Sequence, residues 1–335
     1  MVASNANRRL FDQEVRHQVG LRRLSQATAR KAVALIERTV DDLVERMRAL
    51  DPDRPDARAR LFTLLDAWVR RLAGLETALE RTVGEEMVEL AAYEAAFNTR
   101  NIAAAAGAGF NAPTTASVVA AVNSRPFQGR FLREWMQGLT AAHGARVRDA
   151  VRIGYLEGEG IDAIVRRIRG TRARRYKDGA VEVSRRDATR IVRTAITHTA
   201  NAASEEAYRA AGDLIIGVRY IAILDSRTST ICAGLDGEVF PVGEGPRPPQ
   251  HHSCRSSSAP VIRGAPPPQR ESYSEWLTRQ PREVQDEILG PSRAKLFRAG
   301  LPITRFTDRA GREWTLDELR RREARAWGRA GLETV

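Results

Sequence analysis

The sequence predicts a predominantly helical α+β protein, in which a long N-terminal helical hairpin or bundle precedes a small antiparallel sheet packed on helices. Two observations carry this prediction. Apolar residues recur in steps of three and four over most of the first half of the chain, which is the spacing of one face of an α-helix. Between residues 213 and 262, short β-like runs alternate with turn-rich loops instead.

The N-terminal region is predicted to form two long helices joined by a proline-rich turn. The first helix is expected over residues 5–50, and the turn at 51–55 ends it because proline cannot continue a helix. The second repeats the apolar step over 61–90. The two helices should pair as an antiparallel hairpin, which we assign to a first domain, the helical arm 1–110.

The middle of the chain is predicted to alternate helices with loops. Helices are expected at roughly 115–123, from Phe131 to Val151, at Ile161–Ile168 and at 185–211. The segment 170–184 is polar and contains glycine, so we interpret it as a loop. His198 lies on a small, apolar face of the last of these helices, which favours a hydrogen-bonded core histidine over a ligand.

Three strands should then form the sheet. Val218–Leu224 alternates in polarity, and Glu238–Val242 follows the Asp236-Gly237 dipeptide, which is a hairpin signal. Ala259–Ile262 supplies the third strand. The alanines of the preceding helix suit close packing against this sheet, so residues 111–264 are assigned to a second domain.

The remaining segment, 265–335, is predicted to be a helical extension. Short helices are expected at Tyr273–Thr278, Glu283–Leu289 and Ser292–Arg298. A small hairpin over 306–315 should precede a last helix, from Leu316 to about Trp327, with Thr315 as its N-cap.

The net charge is +12, mostly from arginine, which favours an anionic partner such as nucleic acid or an acidic protein surface. The basic residues predicted to bind DNA or another anion are Arg166, Arg167, Arg169, Arg172, Arg174, Arg175 and Lys177. Such binding would be nonspecific and sensitive to salt. Solvated arginines paired with acidic neighbours are the alternative interpretation. No apolar run has the length of a membrane span, and the start of the chain lacks the apolar core of a signal peptide.

Both cysteines lie between residues 213 and 262, together with His251 and His252. Thiolate and imidazole are preferred zinc ligands, so Cys232, His251 and Cys254 are candidate metal ligands. No convincing fourth ligand is present, because Ser229 stands where a C-x-x-C pair would place a cysteine; His252 and Asp225 are the candidates to replace it. Two interpretations stay open: a zinc site, or a metal-free cluster held by hydrogen bonds that needs no cofactor.

A catalytic constellation is not evident. The sequence contains neither the zinc-deaminase pattern nor a phosphate-binding or dinucleotide-binding glycine loop. Asp225 and Asp236 occupy positions where aspartate commonly stabilises turns, and the cysteines have no clear orienting carboxylate. The chain is therefore predicted not to be an enzyme.

One segment resembles the signature of the Mu F-like, SPP1 gene 7-like phage minor head proteins: LDSRTSTICAGLDGEVF followed by PRPPQHHSCRSSSAPV. The matching residues are Asp225, Arg227, Thr228, Cys232, Asp236, Gly237, Phe240, Pro248, Pro249, His251, Cys254 and Arg255. Among them, Asp225, Arg227, Asp236, Gly237 and Arg255 are taken as a structural motif. The resemblance covers about 125–320, but Ser229 and Ser256 replace cysteines of the family pattern.

The resemblance implies a virion protein of head morphogenesis that lies near the portal inside the capsid and assists packaging or ejection. The implied partners are the portal protein or major capsid protein and packaged double-stranded DNA, with several copies per particle and no membrane. The host cytoplasm would be its location during assembly. The alternative is an enzyme domain carried in the virion, a nuclease or transferase toxin that uses the Cys/His cluster.

Overall fold

A computed structural model of the chain describes residues 5–51, 53–268, 270–308 and 312–332. The first six helices are α1 (Ala6–Arg48), α2 (Ala57–Ala106), α3 (Thr115–Asn123), α4 (Leu132–Leu156), α5 (Ile161–Arg169) and α6 (Ala180–Ala210). The sheet region contains β1 (Ile215–Ile221), α7 (Thr230–Leu235), β2 (Val239–Phe240) and β3 (Ser257–Ile262). The last helices are α8 (Tyr273–Thr278), α9 (Arg282–Leu289), α10 (Pro291–Arg298), α11 (Leu316–Arg322) and α12 (Ala324–Arg329). Among the described helices, none is both long enough and apolar enough to cross a membrane.

The described residues form two compact units that are interleaved along the chain. The hairpin unit consists of Leu21–Glu89 and Arg125–Ile196. The sheet unit consists of the described residues up to Gly20, Leu90–Ser124, and those from Thr197 onward. Helices α1, α2 and α6 each contribute to both. The predicted domains 1–110, 111–264 and 265–335 are sequence segments, and that division stays a prediction.

The hairpin unit is built on the antiparallel pairing of α1 with α2. Apolar residues at three- and four-residue steps meet along the seam, and Trp68 Nε1 donates a hydrogen bond to Thr39 O at 2.7 Å. The buried residues of the seam include Ile36, Val40, Leu43, Leu65, Trp68 and Leu79. The predicted helical hairpin is thereby confirmed.

Helix α4 packs against this hairpin through His143 and Gly144. The His143 ring lies edge-on to Trp68, with 5.6 Å between centroids, and its Nδ1 is 3.0 Å from Ser184 Oγ. Burial lowers the pKa of His143 to about 4, which keeps the imidazole neutral at pH 7. A Cβ at Gly144 would lie 2.8 Å from Leu72 Cδ1, so glycine permits the close approach of the two helices.

In the sheet unit, three strands form an antiparallel sheet in the order β2-β1-β3. The sheet packs on α6, where the fully buried Tyr208 contacts Ile215 and Ile262 in one apolar cluster. Ser258 Oγ of β3 donates to Asn201 Oδ1 of α6 at 2.9 Å. The predicted small sheet on the preceding helix is thus confirmed.

A buried acid cluster joins α1, α2 and β3 in the sheet unit. Glu14 and Glu94 are 8% and 1% exposed, and His17 contacts Glu94 through Nε2. Gln18 Nε2 donates to Glu14 Oε1 at 2.7 Å, and Ser257 also hydrogen-bonds Glu14. Burial, with a contribution from the charge of Glu94, raises the pKa of Glu14 to about 7. The sequence analysis did not predict this cluster.

Helices α8 to α12 surround a separate apolar core in the sheet unit. Its fully buried members include Tyr273, Leu277, Leu296, Phe306 and Leu319. Thr315 caps α11 as predicted, because its Oγ1 accepts a hydrogen bond from Glu318 N at 3.2 Å.

Several boundaries differ from the prediction. Helix α6 begins at Ala180, so only 170–179 of the predicted loop lies outside the α-helices, and Arg172–Arg174 within it forms a 3-10 turn. The second strand is two residues long, and α7, which carries Cys232, was not predicted. The last helix divides at Glu323. The predicted C-terminal hairpin is represented by the bridge between Thr307 and Glu313, and residues 309–311 lie outside the described residues.

Candidate functional site

The structure brings the three predicted metal ligands together beside the sheet. Cys232 Sγ lies 3.6 Å from Cys254 Sγ and 3.4 Å from His251 Nε2. Ser229 Oγ lies 2.9 Å from the same His251 nitrogen, and Tyr220 OH donates to Cys232 Sγ at 3.2 Å. Cys232 and Cys254 are 2% and 3% exposed, so the cluster is closed to solvent on its sulfur side.

Short local structures explain how the sequence positions these side chains. Ser229 is the N-cap of α7, and its Oγ accepts a hydrogen bond from Cys232 N at 3.3 Å, which fixes the first turn. Cys254 N donates to His251 O at 3.1 Å, so a tight turn with a left-handed Ser253 (φ 57°) places both side chains on one side. The Thr197 hydroxyl of α6 donates to Cys254 O at 3.4 Å.

The two thiols of the cluster differ in acidity. The hydrogen bond from Cys232 and the neighbouring His251 lower the pKa of the Cys254 thiol. The pKa of Cys232 is raised, because it donates to Cys254 and is buried. The hydrogen bond to Cys254 raises the pKa of His251. The arrangement therefore favours one thiolate that is stabilised by a thiol and an imidazolium.

The three ligand atoms fit a zinc ion. All lie within 4.8 Å of one another, and they are the one group of three or more such donors found among the described residues. Tetrahedral coordination with zinc–sulfur bonds of about 2.3 Å places two sulfurs about 3.8 Å apart and a sulfur and a nitrogen about 3.5 Å apart. The observed separations of 3.6 and 3.4 Å are close to these values. Ser229 Oγ lies 2.9 Å from His251 Nε2, and a hydroxyl is a weak zinc ligand.

Asp225 and Arg255 of the predicted structural motif form a bidentate ion pair. Arg255 Nη1 and Nη2 donate to the two carboxylate oxygens at 2.6 and 2.5 Å, and Asp225 also accepts from Arg227 N at 3.0 Å. The hydrogen bond from Arg255 lowers the pKa of Asp225. The side chain of Arg227 is 81% exposed, and its Nη2 lies 3.9 Å from Asp225 Oδ2. Asp225 therefore fastens the turn after β1 to the segment that carries Cys254.

Asp236 is a second structural anchor. Its carboxylate accepts from Ala222 N at 2.8 Å and from Tyr273 N at 2.9 Å, and it pairs with Arg270. Gly237 follows with φ of 84°, a backbone conformation that favours glycine. Asp236 thus joins the end of β1 to the start of α8, and each of its carboxylate oxygens accepts a backbone hydrogen bond.

The predicted anion-binding stretch contains a rigid loop, which we call the basic loop (residues 170–179). The Asp178 carboxylate accepts from Thr171 N and Thr171 Oγ1, both at 2.7 Å, and closes the loop at its base. These hydrogen bonds lower the pKa of Asp178. Gly179 packs directly on the backbone of Arg169 and Gly170, where a Cβ would lie 2.2 Å from Gly170 N.

The predicted basic residues divide into two groups. Arg167 pairs with Glu157 and Glu159, and Arg169 pairs with Asp41, so two of the seven are neutralised within the hairpin unit. The others are exposed, and no described carboxylate lies within ion-pair distance of them: Arg166, Arg172, Arg174, Arg175 and Lys177. Four of these five cations lie on the basic loop.

The structure also confirms the structural interpretation of His198. The residue is 8% exposed, and its Nε2 lies 3.3 Å from Val122 O. Val122 is distant from His198 in sequence, but both residues belong to the sheet unit. Sequence reasoning missed α7 and the hydrogen bond from Tyr220 to Cys232. The one sequence signal for α7 was Ser229. It is a typical N-cap residue, but the sequence analysis considered it only as the replacement of a cysteine.

Comparison with known families gave one match. Residues 145–259 match the family described as Phage Mu protein F like protein. The matched segment runs from α4 to β3 and therefore contains the basic loop, α6 and the complete Cys/His cluster. It confirms the resemblance found in the sequence and indicates a phage head-related protein of the virion. Searches of curated proteins and of solved structures gave no match.

Proposed function

We propose that this chain, of which residues 145–259 match the family described as Phage Mu protein F like protein, is a minor structural protein inside the phage head. In this proposal several copies lie near the portal, the helical hairpin contacts portal or major capsid subunits, and the basic loop contacts packaged double-stranded DNA. The protein assists packaging or ejection through these contacts and performs no catalysis.

The observation that carries the proposed DNA contact is the set of exposed cations without acidic partners. Arg166, Arg172, Arg174, Arg175 and Lys177 meet no described carboxylate at ion-pair distance. The hydrogen bonds from Thr171 N and Oγ1 to the Asp178 carboxylate close the loop at its base. Each phosphate that a cation neutralises releases bound counterions, so affinity depends on salt rather than on base sequence. Tyr176 is the one aromatic residue of the loop, which disfavours stacking on single strands.

Salt-dependent binding of the full chain to duplex DNA tests this contact. The wild type and a triple variant (Arg172→Gln, Arg175→Gln, Lys177→Gln) are titrated with labelled duplexes of two unrelated sequences at several salt concentrations. Losing three phosphate contacts should reduce the slope of log affinity against log salt by about 3. The expected result is the same loss for both duplexes.

A matched control removes three exposed arginines outside the loop: Arg227→Gln, Arg263→Gln and Arg279→Gln, whose side chains are 81%, 66% and 67% exposed. This control carries the same change in net charge and should keep the wild-type slope. Equal losses in both triple variants would show that total charge rather than the basic loop determines binding, and would contradict the proposal.

The alternative function, an enzyme domain that uses the Cys/His cluster, is not favoured by the geometry. A substrate would have to reach Cys232 or Cys254, which are almost completely buried. Asp225 and Asp236, the nearest candidate acids in the sequence, are engaged by Arg255 and Arg270 and by backbone donors. A structural cluster, with zinc bound by Cys232, His251 and Cys254, accounts for these contacts better.

A further inference from the structure

A cleft of about 490 Å³ lies in the hairpin unit between the start of α2 and the end of α4. Its lining residues are Arg58, Phe62, Leu65, Asp66, Arg148, Arg152, Tyr155 and Leu156. Phe62 and Tyr155 meet edge to face, with 5.7 Å between ring centroids, and form an aromatic wall. Leu65 is 1% exposed, whereas Leu156 at the rim is 79% exposed. The cleft therefore offers both an apolar floor and an exposed apolar rim.

The charges around this cleft are unbalanced. Three arginines line it, and Asp66 is the one acidic residue among the lining residues. In the described parts of the chain, no carboxylate lies within ion-pair distance of Arg58, Arg148 or Arg152. The neighbouring Arg60, by contrast, is paired with Asp56 at 2.7 Å. Three cations without an ion-pair partner among the described residues therefore lie on one concave surface.

Arg148, one of the arginines that line the cleft, has an unsatisfied donor, as four other arginines of the described chain also do. Its Nε is buried and has no hydrogen-bond partner among the described residues. Buried guanidinium donors are normally satisfied, because an unmade hydrogen bond leaves their desolvation uncompensated. The Arg58 guanidinium lies over the Tyr155 ring at 5.3 Å from its centroid, which orients this second cation at the cleft wall.

We propose that this cleft binds an acidic segment of another protein of the particle, with two carboxylates on the arginines and an apolar side chain between them. The volume suits one or two side chains, and clusters of arginine recognise acidic motifs through bidentate hydrogen bonds. The walls each span nine residues of helix, about 12 Å, and carboxylates one helical turn apart are separated by about 6 Å. A helical or extended acidic segment can therefore contact two arginines at once.

Duplex DNA fits this cleft less well than a peptide does. A duplex presents its phosphates on a wide convex rod, which protruding cations such as those of the basic loop can reach. The floor at Leu65 and the aromatic wall are apolar and can hold an apolar side chain of a peptide. A phosphate backbone has no such group. The inference rests on the proposed function, because it places the binding partner in the phage head.

Photocrosslinking in assembled heads tests the inference. Leu156 of the full-length chain is replaced by p-benzoylphenylalanine, particles are assembled and irradiated, and the crosslinked segment is identified by mass spectrometry. The expected product is a protein segment with at least two carboxylates near an apolar residue. Arg58→Glu with Arg152→Glu should reduce the crosslink by about tenfold or more. The Arg70→Glu variant, which changes an exposed arginine of α2 outside the cleft, should retain it.

A charge exchange completes the test. Lysines are introduced in the partner protein in place of the identified carboxylates. These lysines should restore the crosslink to the chain that carries Arg58→Glu and Arg152→Glu. Both substitutions are on exposed side chains, and circular dichroism of the purified variant verifies that it folds. A crosslink to DNA, a crosslink to a segment without carboxylates, or no crosslink from a chain present in the heads would overturn the inference alone. Absence of the chain from heads would overturn the proposed function as well.

Discussion

Replacing Glu14 with glutamine should stabilise the protein at alkaline pH. Glu14 is buried beside Glu94, and its carboxyl group holds a proton more tightly in the folded chain than in the unfolded chain. Above pH 7 the folded state must bury this negative charge beside a second carboxylate. Glutamine keeps the shape and can still accept the hydrogen bond from Gln18, but it carries no charge.

The size of the effect follows from the pKa of Glu14. Raising this pKa from 4.5 to about 7 corresponds to about 3 kcal/mol of free energy of unfolding. Between these two pH values the folded chain binds more protons than the unfolded chain, so stability falls as pH rises through this window. The difference between Glu14→Gln and wild type should therefore be small at pH 5 and approach about 3 kcal/mol at pH 8.

His17 titrates in the same direction and must be separated from Glu14. Burial lowers the pKa of His17, but the hydrogen bond to Glu94 and the negative charges of Glu94 and Glu14 together outweigh burial and raise this pKa overall. The stabilising contact of the protonated ring is therefore present at low pH and lost as pH rises through the raised pKa. The hydrogen bond from His17 to Glu94 exists in both proteins, so the difference between variant and wild type reports mainly on Glu14, with a smaller contribution from the loss of the Glu14 charge beside His17.

Urea denaturation followed by circular dichroism at pH 5, 6, 7 and 8 measures this difference. Glu45→Gln is the matched control, because Glu45 lies on the same helix and is exposed. It should leave the pH dependence unchanged. A Glu14→Gln variant that is less stable than wild type at pH 8 would refute the reasoning, since it would show that the buried carboxylate stabilises the fold.

Three further changes test other parts of the structure. Asp236→Asn leaves Arg270 without its buried partner, so the free energy of unfolding should fall by about 3–5 kcal/mol in urea denaturation; a loss below about 1 kcal/mol would contradict the anchoring role. Gly179→Ala introduces a Cβ into the backbone at the base of the basic loop and should cost about 1–3 kcal/mol, whereas Gly20→Ala, with open space around it, should be neutral or stabilising. Purified wild type should contain about one zinc per chain and Cys254→Ser less than about 0.2; equally low zinc in both would refute metal binding.

Long periodic segments were predictable because their signal is local. The apolar steps of α1 and α2 cover many turns, and the proline-rich segment between them ends one helix and begins the next. Thr315 was recognisable as an N-cap for the same reason, since the capping contact to Glu318 lies within four residues. Such elements need no tertiary information.

Short helices and contacts between residues distant in sequence were harder to predict from the sequence. Helix α7 has six residues, too few for a periodic pattern, and the sequence analysis assigned no helix to this segment. Helix α6 begins at Ala180 because Gly179 packs on the preceding backbone, which polarity alone does not indicate. The contact between His17 and Glu94 joins residues 77 positions apart, so the buried acid cluster became visible only in three dimensions.

The Cys/His cluster was predictable from the sequence only in part. The sequence indicated its three members, and the structure places them within 4.8 Å of one another. The sequence did not indicate that Asp225 and Asp236 fasten the segments on either side of this cluster, because their partners Arg255 and Arg270 lie about thirty residues further along the chain. That pairing is what makes a structural role the best account of this region.

The most direct test of the proposed function is the content of purified, DNA-filled heads. Quantitative mass spectrometry of heads separated from free protein should find the chain at the same small copy number in independent preparations, and cryo-electron microscopy should find its density inside the capsid near the portal. If the chain is not detected in purified heads while it is abundant in the free fraction of the same lysate, the account of a minor head protein is contradicted.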